Sequence, residues 1–183
     1  DEIKDHFIKS QLEHIGNTDL CIANGIMESA NGNCLIYKNK RSQDYLKKQI
    51  GFIKVRDLIV SPGQCLIKKA SIPEYWMENT MKVNSADDYF LWLLMIENKC
   101  CFSVNYDVLY IHKYTGENVS GNIEQVHKSN REMIDLLINH LFFQIASLAY
   151  KTSFQKKYLP LCLPRFHHSH TIISNSTMEK NHV

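Results

Sequence analysis

Two adjacent carboxylates, Asp87 and Asp88, stand where polar sequence gives way to the apolar run YFLWLLMI at 89–96. A carboxylate in such a place can complement the partial positive charge of a helix N-terminus. It can also take a proton from a group that must become a nucleophile. Successive helical side chains diverge by about 100°, so the pair would turn to different faces. On spacing alone the helix-dipole reading comes first. The other side chains with chemical potential are dispersed. Asp1 opens the chain, Pro62 and Gly63 form a small-residue turn in SPGQCLIKK, and His112 ends the run DVLYI. Trp76 and Trp92 are indoles that could stack on a ring, and Trp92 falls four residues after Asp88, on the same helix face. The cluster His167, His168 and His170 reads as a solvated tail rather than a metal site.

The elements that must position these residues follow from pattern. Residues 84–99 predict a helix with Ser85 as N-cap and the two aspartates in its first turn. Residues 1–15 place Ile3, Phe7, Ile8, Leu12 and Ile15 on one helical stripe, with Asp1 and Glu2 at its positive end and Gly16-Asn17 as its stop. DLCIAN (19–24) and CLIY (34–37) read as strands, with turns at Asn24-Gly25 and in NGNC (31–34). A short helix is expected at 42–50, a loosely alternating stretch at 52–60, and a helix opened by Pro73. CCFSV and DVLYIH (107–112) read as two paired strands, followed by a loop at 114–120. A helix over 122–150 carries Ile123, Val126, Met133, Ile134, Leu137, Leu141, Ile145 and Leu148 on a broad stripe, and Pro160 and Pro164 are expected to end the ordered part. Strands alternating with helices make the chain α/β.

At 183 residues, with 44% hydrophobic and 22% charged side chains, the chain is one globular domain or a large piece of one. A net charge of +2, with no basic run interleaved with aromatics, argues against a nucleic-acid partner. Six cysteines show no Cys-x-x-Cys pair and sit mostly in apolar runs, so a reducing, cytoplasmic setting is the expectation. Asn139, His140 and Gln144 interrupt the 122–150 helix, which therefore does not read as a membrane span. Packing on the domain is its first reading. Peripheral contact with the inner face of a membrane is the second.

The order SPGQCLIKK, then ADDYFLWLLM, then a strand running into YIHKYTGENVS resembles the C-terminal half of inverting family-2 glycosyltransferases of the GT-A fold. There a Gly-containing turn precedes an apolar strand, an acidic pair opens an apolar helix, and a later strand enters a Tyr-x-x-His…Asn-x-Ser loop. The resemblance implies a partial GT-A-like three-layer fold over 1–121, the acceptor-side half, with a helical extension at 122–160 and a disordered tail at 161–183. It implies transfer of a sugar from a nucleotide-sugar donor to a glycan or lipid-linked acceptor, as in surface polysaccharide synthesis. Asp88 matches the second acidic position and so the general base; Asp87 matches the first, normally Glu, and so acceptor positioning. Pro62, Gly63 and Trp92 would lie beside substrate. His112 would face the diphosphate or a divalent metal, Mn²⁺ or Mg²⁺, although it stands six residues before Asn118 and Thr115 falls nearer the family's position. Asp1 would be the last carboxylate of an Asp-x-Asp motif, placing most of the nucleotide-binding half outside this sequence. The alternative is a truncated, inactive transferase domain that acts as a binding module.

Overall fold

The computed structural model describes residues 1–162 apart from 55, 116, 117, 119 and 120, with the last helix's side chains described to Leu141 and at Gln144. The chain divides into a unit at Asp1–Leu141 and a second at Phe142–Val183. The elements are β1 (Glu2–Ile3), α1 (Phe7–Ile15), β2 (Leu20–Ser29), β3 (Gly32–Leu35), α2 (Lys40–Asp44), α3 (Ile50–Lys54), β4 (Cys65–Ile67), α4 (Glu74–Glu78), α5 (Asp87–Glu97), β5 (Phe102–Lys113) and α6 (Ile123–Cys162), with short 3₁₀ turns between them.

The fold is mixed α/β around β2. This strand lies parallel to β5 along one edge. Its other edge is shared, antiparallel, by β4 against residues 20–22 and β3 against residues 26–29. β1 pairs antiparallel with the far edge of β5. Leu20 and Ile22 enter the main core with Phe52, Trp92, Met95, Phe102 and Val104. Ala23 faces the opposite way, against Phe7 of α1 and Leu109 of β5. Strands covered on both faces read as continuous apolar runs, which accounts for LCIA.

Several expectations are corrected. Asn24-Gly25 is not a turn; β2 runs through it, with a register shift there. Asn24 Oδ1 accepts the N–H groups of Gly25 (2.8 Å) and Tyr37 (3.1 Å), and its amide donates to Tyr37 O (3.0 Å), replacing ladder bonds that the shift removes. Glycine is required at 25 because a Cβ would stand 2.6 Å from Tyr110 O. CCFSV and DVLYIH do not pair with each other. They form one strand, β5, whose irregularity near Asn105 is a register shift against β2 rather than a reversal.

The N-terminal residues pair with β5, and α1 begins only at Phe7. Its buried face is Phe7, Ser10, Gln11 and Ile15, leaving Ile3, Ile8 and Leu12 exposed. Gln11 is inside because its amide donates to Cys21 O (3.2 Å) and Gln64 O (2.9 Å). The expected 42–50 helix is split into α2, a 3₁₀ turn and α3 around Gln49, whose φ is +52°. Ser85 is not the N-cap of α5. Ala86 holds that position without a side-chain cap.

α6 begins as expected but continues past Pro160 to Cys162. Among the side chains described, Ser129 and Met133 are its buried residues, the latter against Ala86, Phe90 and Leu94. From the expected stripe, Ile123, Ile134 and Leu141 are exposed. Ile145 and Leu148, like Pro164 and the 163–183 tail, lie outside the described side chains or residues. Among the described residues no helix is long and apolar enough to cross a membrane.

Candidate active site

The C-terminal end of β5 gathers residues from both ends of the described sheet. β1 holds Asp1 beside β5, where Tyr110 Oη donates to Asp1 Oδ2 (2.7 Å) and the Lys113 N–H donates to Oδ1 (3.1 Å). His112 Nδ1 lies 3.2 Å from the same Oδ1. Burial chiefly holds His112 below its ordinary pKa. The two residues expected to face metal or diphosphate are thus brought together.

The Ser61-Pro62-Gly63 turn lies against the same tyrosine. A Cβ at Gly63 would stand 2.6 Å from Tyr110 Cε2, so the close approach that glycine permits is made by a protein ring. Pro62 and Gly63 remain exposed beside it. Gln64 pins the turn. Its amide donates to Ala23 O (3.0 Å), and its carbonyl accepts from Val60 N (3.1 Å) and Ser61 N (3.3 Å).

Asp88 and Asp87 part company. Asp88 Oδ1 accepts the Tyr89 N–H (2.8 Å). Burial chiefly, with a contribution from the Asp87 charge, pushes Asp88 up to about 6. A second carboxylate that the sequence did not single out, Asp57, lies close by. Burial first, and then the charge of Asp88, push it to about 7, although its Oδ1 accepts the Ile59 N–H (2.9 Å). Burial pushes the Cys65 thiol and the Tyr110 hydroxyl up, and Cys65 packs against the main core.

Asp87 faces another way, into a cleft of about 300 Å³ lined also by Trp76, Met77, Asn79, Thr80, Met81 and Asn84. The backbone entering this corner is strained: Ser85 has φ +145°, rare for a residue with a side chain. Its N–H donates to Asp87 Oδ1 (3.4 Å), and the next N–H, of Ala86, donates to Ser129 Oγ (2.9 Å). The expectation that Trp92 flanks substrate is corrected, because its side chain is 0% exposed and enclosed in the main core. Trp76 is the indole that lines a cleft. Asp57 sits on the rim of a second cavity, about 420 Å³, with Tyr37, Tyr45 and Arg56.

One carboxylate and one imidazole, Asp1 and His112, are only part of a metal shell, and no group of three His, Cys, Asp or Glu residues occurs among the described residues. Such a pair fits Mg²⁺ or Mn²⁺ only where substrate phosphates and water complete the shell.

No protein-family model, curated protein or solved structure matches this chain.

Proposed function

We propose that the chain is the acceptor-side half of an inverting glycosyltransferase of GT-A-like fold, with Asp88 as general base. The observation that carries this reading is the meeting of Asp1, Tyr110 and His112 at the end of β5, against the Pro62-Gly63 turn. A donor diphosphate at Asp1 and His112 would place the sugar over the exposed Pro62-Gly63 turn. The acceptor hydroxyl attacks the anomeric carbon, its proton passes to Asp88, and the bond from that carbon to the diphosphate oxygen breaks with inversion. A base tuned to about 6 is ionised at neutral pH yet basic enough to share a proton in the transition state. A divalent cation bound with the donor would supply charge neutralisation for the departing diphosphate.

The donor end is tested by calorimetric titration of UDP and of GDP in Mn²⁺ against the full-length protein. Replacing His112→Ala should weaken binding of the accepted nucleotide by at least about tenfold. Unchanged affinity would remove His112 from the site. The second reading, a binding module without turnover, draws on the incomplete metal shell. It differs in binding a glycan while transferring nothing.

A further inference from the structure

The reaction as described leaves the cleft beside Asp87 without an occupant. We propose that this cleft is a subsite for one neutral pyranose ring of the acceptor, with the Trp76 indole as its apolar wall and Asn79, Thr80, Asn84 and Asp87 as hydroxyl partners. The inference rests on the glycosyltransferase reading for the word acceptor, but the site itself stands on its lining.

The lining matches the two-sided chemistry of a sugar ring. A pyranose has an apolar C–H face and a rim of hydroxyls that both donate and accept. Trp76, with two methionines, supplies the apolar surface; two amides, a hydroxyl and a carboxylate supply both kinds of polar partner. No Lys, Arg or His lines the cleft among the described residues, so nothing there would neutralise a phosphate. That charge pattern separates it from the Asp1–His112 corner and excludes the diphosphate of a donor. At about 300 Å³ the space stands at the small end of ligand sites and suits one ring rather than a chain.

The walls are also held in place before any ligand arrives. Trp76 Nε1 donates to Asp87 O (2.9 Å), fixing the indole against the start of α5. Asn79 Nδ2 donates to Tyr75 O (2.9 Å). The loop leading to Asp87 is tied down by α6: the Lys82 and Val83 N–H groups donate to the Glu132 carboxylate (2.8 and 2.9 Å), and Gln125 Nε2 donates to Asn84 O (3.1 Å). A rigid polar rim loses little entropy on binding, which is what a weakly held neutral sugar needs. α6 thereby acquires a role: it sets the shape of this cleft.

The test is saturation-transfer NMR on the full chain with methyl glycosides of glucose, galactose and N-acetylglucosamine at tens of millimolar, with UDP as a charged competitor. At least one glycoside should take up saturation on its ring protons, and UDP should not displace it. Trp76→Ala should abolish the signal. Trp76 touches both core clusters, so Asn84→Ala, at an exposed position, carries the test if that variant fails to fold. It should weaken binding about three- to tenfold. No saturation of any glycoside in the wild type, displacement by UDP, or equal binding by Asn84→Ala would overturn the subsite. Sugar binding lost in these variants, in a protein that transfers nothing from nucleotide sugars, would support the subsite and overturn the reaction.

Discussion

Asp88→Asn in the full-length protein should lower sugar transfer by roughly a hundred- to ten-thousand-fold, the range spanned by loss of a general base. The amide keeps the oxygen that accepts the Tyr89 N–H, so the start of α5 should persist and circular dichroism should be unchanged. The wild-type rate should also carry a pH signature. The base acts only when ionised, and Asp88 titrates near 6, so the rate should fall about tenfold per unit as pH drops below that value. Asp57 provides the control. Asp57→Asn keeps the acceptor for the Ile59 N–H. Asp57 titrates near 7, above Asp88, and is already neutral over the acid limb, so that limb should stay near 6 while transfer persists. If Asp57→Asn abolishes transfer and Asp88→Asn spares it, the two roles are reversed.

The largest expected effect on stability comes from Trp92. Its side chain is fully buried among Leu20, Ile22, Phe52, Met95 and Phe102, so Trp92→Ala should cost about 3–5 kcal/mol in urea unfolding. Among the described residues Trp92 Nε1 has no hydrogen-bond partner, an unpaired buried donor of the kind that costs about 1–3 kcal/mol. Trp92→Phe removes that donor together with part of the volume. It should therefore lose well under half as much as the alanine variant. Equal losses would mean that the indole nitrogen is satisfied in solution.

The sequence made the elements more legible than their joints. α5 and α4 stand where their patterns put them, because each is a local signal: an apolar run, a proline. Asn24-Gly25 misled because the same pair serves a hairpin turn or a close strand approach, and only Tyr110, far along the chain, decides between them. In sequence β5 looks like two strands because the polar residues Asn105 and Asp107 resemble a break. In the fold they absorb a register shift, with Asn105 Oδ1 accepting the Asp107 N–H (3.0 Å).

The candidate site divides in the same way. Only the order of motifs points to Asp1 and His112, since nothing local marks either as a partner of the other. Tyr110, which bonds Asp1 and packs on Gly63, looked like one more apolar residue in DVLYIH. Asp57 was hidden in a loosely alternating stretch, and its interest lies in the distant Asp88. Gln64 left a faint trace as a polar residue at the head of an apolar strand, which is where a buried side chain that bonds backbone would stand.

The central claim is a single displacement assisted by Asp88. It is tested most directly by proton NMR of the first product formed when the full-length protein transfers sugar from an α-linked nucleotide donor. A β-linked product, absent with Asp88→Asn, is the expected result; an α-linked product, or no transfer from any nucleotide sugar, would contradict it.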